Sequence, residues 1–129
     1  MKYAIIGAGI GGLTTALAFE EKGIDYHVYE QAPQLNEVGA GIWLAPNALK
    51  VLDSLGVLEK VQHQGNEIDR ITIGKPNLEP LSDSKQDFIK SIFGYTTVSI
   101  HRANLQQLLF NQIPKEKISL NKGFQSYEE

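Results

Sequence analysis

One stretch constrains this chain more than any other. The apolar run Tyr3-Ala4-Ile5-Ile6 enters Gly7-Ala8-Gly9-Ile10-Gly11-Gly12, and an acid, Glu30, follows eighteen residues after Gly12. A short strand, a G-x-G-x-x-G turn, a helix, and an acid ending the next strand form the dinucleotide-binding fingerprint, in which each part has a mechanical task. Gly7 permits the tight turn, Gly9 lets the backbone approach a pyrophosphate, and Gly12 lets the helix pack closely on the strand. The helix N-terminus offers unpaired N–H groups and the positive end of the macrodipole to the phosphates. Glu30 is placed to accept hydrogen bonds from a ribose. Glycine clusters also mark ordinary turns, so the combination of strand, helix and spaced acid carries the reading, not the glycines alone.

The rest of the pattern continues an α/β chain. Residues 2–6 read as a buried strand and residues 10–22 as a helix with Leu13, Ala16 and Leu17 on one face, stopped by Gly23. Tyr26 to Glu30 reads as the second strand, which completes a βαβ unit with a right-handed crossover. Glu37-Val38-Gly39-Ala40-Gly41-Ile42-Trp43-Leu44 reads as a glycine-containing loop. Pro46 suits the first turn of a helix striped by Leu49, Leu52 and Leu55 and ended by Gly56. A short helical stretch around Val57, Leu58 and Val61 stops near Gly65. Residues 68–73 alternate as a strand before the turn Gly74-Lys75-Pro76-Asn77, and residues 79–87 read as an edge strand and loop. Thr97 to His101 is another strand. Arg102 opens a helix with Leu105, Leu108 and Leu109 on one face, ending before Pro114. Lys117 to Leu120 and Phe124 to Tyr127 are short strand candidates.

Composition narrows the function classes. The 129 residues suit one ordinary domain. Twelve basic and fifteen acidic residues give a net charge of −3 with no basic cluster, so nucleic acid is not an expected partner. With no cysteine, disulfides, thiolate metal sites and a cysteine nucleophile are excluded. No run approaches the roughly 18 apolar residues of a membrane span. The early glycines leave no room for a signal peptide's apolar run. A soluble, cytoplasmic chain is expected. His27, His63 and His101 are scattered without metal-ligand spacing, with His27 expected to be structural and His63 solvated. The adjacent pairs Glu20-Glu21 and Glu128-Glu129 point apart and read as solvated faces. Trp43 and Leu44 can line a cavity or pack in a core.

Three motifs in order carry a resemblance. They are GAGIGG with Glu30; Gly39-Ala40-Gly41-Ile42 leading to Pro46-Asn47-Ala48-Leu49, Leu52 and Leu55-Gly56; and His101-Arg102-Ala103-Asn104-Leu105. Together they resemble the N-terminal part of FAD-dependent aromatic-ring hydroxylases, single-component flavoprotein monooxygenases of the p-hydroxybenzoate and salicylate hydroxylase type. The resemblance spans essentially the whole chain. It implies a Rossmann-like FAD-binding fold, a parallel sheet with small β insertions. It also implies hydroxylation of a small aromatic molecule with NAD(P)H and O2 by the parent protein. Gly7, Ala8, Gly9, Ile10, Gly11 and Gly12 with Glu30 and Gln31 would hold the ADP half of FAD, Gly41 would pass near the flavin end, and Arg102 would reach the phosphate or ribityl region. Arg102 has independent support, since a cation at a helix N-terminus opposes the macrodipole unless an anion lies nearby; a surface arginine is the plainer alternative. Backbone near Phe124 would approach the adenine.

Two departures stand out. No Lys or Arg occurs between Gln31 and Leu49, where some members carry an arginine. Neither an Asp-Gly nor a Gly-Asp dipeptide occurs, although the family uses both later in the chain. Residues 1–129 are therefore expected to be an N-terminal portion of an FAD/NAD(P)-binding domain, without the substrate domain and remaining cofactor motifs. The chain alone is expected to be inactive and to self-associate through uncovered sheet edge and apolar surface. The fingerprint by itself does not separate NAD from FAD; Glu30 disfavours NADP by repelling a 2′-phosphate. An NAD-binding oxidoreductase, a nucleotide-binding module and a non-catalytic fold remnant remain the alternatives.

Overall fold

The computed structural model describes residues 3–35 and 39–128. Lys2 of the first strand, Glu37 and Val38 of the expected glycine loop, and Glu129 lie outside the described residues. In chain order the elements are β1 (Tyr3–Ile6), α1 (Ile10–Glu21), β2 (Tyr26–Tyr29), β3 (Gly41–Leu44), α2 (Pro46–Ser54), α3 (Leu58–Gln64), β4 (Asn66–Ile68), β5 (Arg70–Gly74), β6 (Pro80–Lys85), α4 (Gln86–Phe93), β7 (Thr97–His101), α5 (Arg102–Phe110), a 3-10 turn (Lys115–Lys117) and β8 (Ile118–Ser119). They fall into two units, residues 1–39 with 102–129, and residues 40–101.

The first unit is a parallel sheet in the order β1-β2-β8, with Tyr3 opposite Tyr26, Ile6 opposite Tyr29 and Val28 opposite Ile118. The α1 face built from Leu13, Ala16 and Leu17 is buried, as are Leu105, Leu108 and Leu109 of α5, and these two helices pack together. Tyr26 and Val28 supply the sheet's share of this core. The Tyr26 hydroxyl donates to Glu20 at 2.9 Å, and the Lys117 ammonium joins the same carboxylate oxygen at 2.7 Å while lying 5.0 Å from the Tyr26 ring centroid. That contact holds the Glu20 carboxyl below its ordinary range, chiefly through the Lys117 hydrogen bond. Burial, reinforced by Glu20, pushes the Tyr26 phenol up.

β1 departs from expectation. Instead of a buried strand it is the sheet edge among the described residues, with Tyr3 45% and Ile6 53% exposed, because among them only β2 pairs with it. Phe124 to Tyr127 is not a strand either; no described strand pairs with it, and an isolated extended segment has no ladder to stabilise it.

The second unit holds an antiparallel sheet, β3-β7-β4, and the hairpin β5-β6. The expected loop before Pro46 becomes strand β3 at Gly41–Leu44, paired to β7 with Gly41 opposite His101 and Leu44 opposite Val98. Pro46 occupies the first turn of α2, and Leu49 and Leu52 are buried with Leu44, Val57, Val61, Val98 and Ile100. Residues 68–73 do not form one strand: β4 ends at Ile68 and β5 starts at Arg70, each pairing with a different partner. After β6 the chain forms α4, whose first two residues, 86 and 87, fall where the strand edge and loop of residues 79–87 were expected; Gly94 closes the helix at φ 80°.

Candidate functional site

The glycine turn is built around one filled and two open positions. Gly7 adopts φ 97°, a left-handed conformation that side chains rarely accept. A Cβ at Gly12 would run into the Gly7 carbonyl oxygen and lie 3.4 Å from Ile5 Cγ2, so the helix reaches the strand only because Gly12 lacks a side chain. At Gly9 and Gly11 a Cβ would meet nothing within 4 Å. The turn is thus closed on its inner side and open on its outer side.

Gly9 is the N-cap of α1 and provides no side chain to cap it. The first backbone bond of the helix runs from Leu13 N–H to the Gly9 carbonyl at 2.9 Å, and no acidic residue occupies the first turn. The N–H groups of Ile10, Gly11 and Gly12 have no intrahelical acceptor, an arrangement that favours an anion in front of the helix.

Glu30 lies beside this turn and braces it. Its Oε2 accepts from Ala8 N–H at 2.7 Å and its Oε1 from Ala32 N–H at 2.8 Å. A carboxylate offers roughly four lone-pair positions, so both oxygens keep acceptor capacity for a ligand hydroxyl. Tyr29 backbone carbonyl accepts from Gly7 N–H at 2.7 Å, which joins the end of β2 to the start of the turn. Next to Glu30 lies a cavity of about 220 Å³ lined by Ile6, Gly7, Tyr29, Gln31, Lys122 and Phe124. Its size is below the roughly 300–1,000 Å³ of whole drug-sized ligand sites, so it suits one end of a dinucleotide.

Phe124 therefore reaches the site from an irregular segment, not from a strand. Lys122 was not anticipated from sequence. It follows β8, and its backbone N–H donates to the Glu30 carbonyl at 2.8 Å, a long-range tie with no local sequence signature. Gln106 was also missed; its Nε2 donates to the Ala8 carbonyl at 2.7 Å.

Arg102 begins α5 and is half-buried. A Cβ at Gly39 would lie 3.2 Å from Arg102 Cβ and Cδ, so this glycine makes space for the arginine stem. Gly41 belongs to the second unit, at the β3 end paired to His101. Trp43 is 65% exposed while Leu44 is buried, and His27 Nε2 shares a hydrogen bond with Ser119 Oγ at 2.9 Å. Among the described residues no group of three or more His, Asp or Glu side chains is arranged to hold a metal ion, and no helix is long and apolar enough to cross a membrane. The arrangement can bind and orient an anionic, hydroxyl-bearing ligand.

The residues fit a dinucleotide cofactor on this geometry, and comparison with known proteins agrees. A family model described as an FAD binding domain matches residues 1–114. The 3-hydroxybenzoate 6-hydroxylase 1 of Aquipseudomonas alcaligenes is 42% identical over 107 residues, which cover 81% of this chain and 27% of that protein. The 3-amino-4-hydroxybenzoate 2-monooxygenase of Streptomyces cremeus is 33% identical over 135 residues, covering 100% of this chain and 33% of that protein. Among solved structures, Klebsiella pneumoniae HpxO complexed with FAD and uric acid superposes with a TM-score of 0.79 at 26% identity, over 94% of this chain and 31% of that one. The chain spans about a quarter to a third of the length of these curated relatives.

Proposed function

This chain belongs to the FAD binding domain family, and from that premise we propose that it seats the ADP half of FAD in a flavin-dependent aromatic-ring monooxygenase. The observation that carries the proposal is the turn closed at Gly12, open at Gly9 and Gly11, and flanked by Glu30. In this reading the backbone of Gly7, Ala8, Gly9, Ile10, Gly11 and Gly12 lines the pyrophosphate. The spare acceptor positions of Glu30 take ribose hydroxyls. Gln31, Tyr29 and Phe124 wall the adenosine end in the adjoining cavity. Arg102 offers its guanidinium to phosphate or ribityl oxygens.

Bound FAD supplies the electron-transfer and oxygen chemistry; the side chains of this segment hold and orient it. NAD(P)H and O2 are the co-substrates of the parent protein, which acts in the cytoplasm on a small aromatic molecule, a class supported by the two benzoate-acting relatives. Residues 1–129 are the N-terminal portion of its cofactor domain. Alone they are inactive and self-associate through the β1 edge and exposed apolar surface. The test is purification of the full-length protein: it emerges yellow and oxidises NAD(P)H in a flavin-stimulated reaction. Colourless protein that instead reduces NAD with a hydroxy substrate contradicts the proposal and favours the NAD-dependent alternative.

A further inference from the structure

Both backbone polar groups of Ala8 are held, one in each of its flanking peptides, although the residue lies between two glycines. Its N–H donates to Glu30 Oε2 and its carbonyl accepts from Gln106 Nε2, each at 2.7 Å, and its side chain is fully buried. Gly7 and Gly9 on either side give the local backbone wide torsional freedom, so the bonds to Ala8 must select one orientation. In a trans peptide the carbonyl and the following N–H point in opposite directions. The bond that draws the Ala8 carbonyl toward Gln106 therefore turns the Gly9 N–H the other way. Gly9 caps α1 in an extended conformation, and its Cα faces open space.

We propose that Gln106 is a positioning residue for the cofactor: by holding the Ala8 carbonyl it aims the Gly9 N–H at the pyrophosphate. This inference rests on the FAD reading above and adds a residue outside the glycine fingerprint. Gln106 lies 98 positions from Ala8 in sequence and one turn beyond Arg102 on α5. Residues four apart share a helix face, so one side of α5 presents both the arginine and the amide. The packing of α1 on α5 keeps that face at a fixed distance from the turn.

The consequence is selective. Loss of the amide frees the Ala8–Gly9 peptide and weakens ligands that carry a pyrophosphate, while leaving the adenosine cavity beside Glu30 unchanged. The test is titration of full-length wild-type protein and the Gln106→Met variant with FAD and ADP by calorimetry and with adenosine by NMR. Gln106→Ala serves as a second variant, since alanine keeps the helix well formed. The expected result is a common loss of about 3- to 10-fold for FAD and ADP, the effect of one hydrogen bond, with adenosine unaffected. Unchanged ADP affinity in either folded variant overturns the inference, and so does an equal loss for adenosine, which would mark general loosening of the fold. If wild-type protein binds neither ADP nor FAD, the functional reading fails and this inference fails with it.

Discussion

The glycine turn of the first unit and α4 of the second differ in what holds them. Around the turn, the polar backbone is matched close at hand: Gly7 N–H to Tyr29, Ala8 N–H to Glu30, Ala8 carbonyl to Gln106. Helix α4 has little beneath it. Phe88, Ile92 and Phe93 are 55–67% exposed, and of its residues only Gln86 is buried, fixed by a 2.8 Å bond from the Thr97 hydroxyl. One region is complete within the residues described, and the other presents apolar surface to solvent. A site defined by backbone geometry can be finished locally, whereas an amphipathic helix needs a partner to cover it.

The largest test of this contrast concerns the glycines themselves. Gly12→Ala forces a Cβ into the Gly7 carbonyl and should destabilise the fold by about 1–3 kcal/mol, the usual cost of overpacking. Gly11→Ala, one residue earlier on open helix surface, should be neutral or stabilising by about 0.5–1 kcal/mol. Urea denaturation of both variants measures the difference. Equal effects would show that the turn is not closed on one side and open on the other.

The second test concerns apolar exposure. The 129-residue chain should self-associate, and Phe88→Ser with Ile92→Ser should shift sedimentation velocity profiles toward monomer by severalfold in dissociation constant, without lowering the melting temperature. Association insensitive to both changes would point to the β1 edge, which also exposes Tyr3 and Ile6.

A smaller effect comes from Glu20. Its folded-state carboxyl titrates below the ordinary value of 4.5 because Lys117 donates to it. The ionised pair therefore stabilises the fold above the unfolded-state value, and this contribution disappears as pH falls through the lower folded-state value. Lys117→Met should lower the melting temperature slightly at neutral pH, leave it unchanged at acid pH where Glu20 is protonated, and so flatten its pH dependence below about pH 4.5. An unchanged acid limb would show that the contact contributes nothing to stability.

The same contrast governs what could be read from sequence. The βαβ unit and the turn were legible because glycine spacing and the strand-helix-strand pattern encode backbone geometry directly. The buried leucines of α1, α2 and α5 were legible through their 3.6-residue spacing. Gly39 and Gly41 suggest irregular backbone where β3 forms, while its pairing to β7, Gly41 opposite His101, decides otherwise. Helix α4 carried a usable signal, Phe88-Ile89 and Ile92-Phe93 one turn apart before Gly94, but its polar flanks concealed it. Lys122 and Gln106 reach the site through tertiary contacts, for which short-range spacing holds no sign.

The central claim is that the open outer side of the turn receives the ADP half of FAD. Calorimetric titration of full-length Gly9→Val with FAD and ADP tests it most directly, because a Cβ there meets no protein atom within 4 Å and the branched side chain adds bulk at the approach to the turn. The account predicts loss of both ligands, by at least about 100-fold, with a melting temperature close to that of wild type. Wild-type affinity in a folded Gly9→Val protein would contradict it.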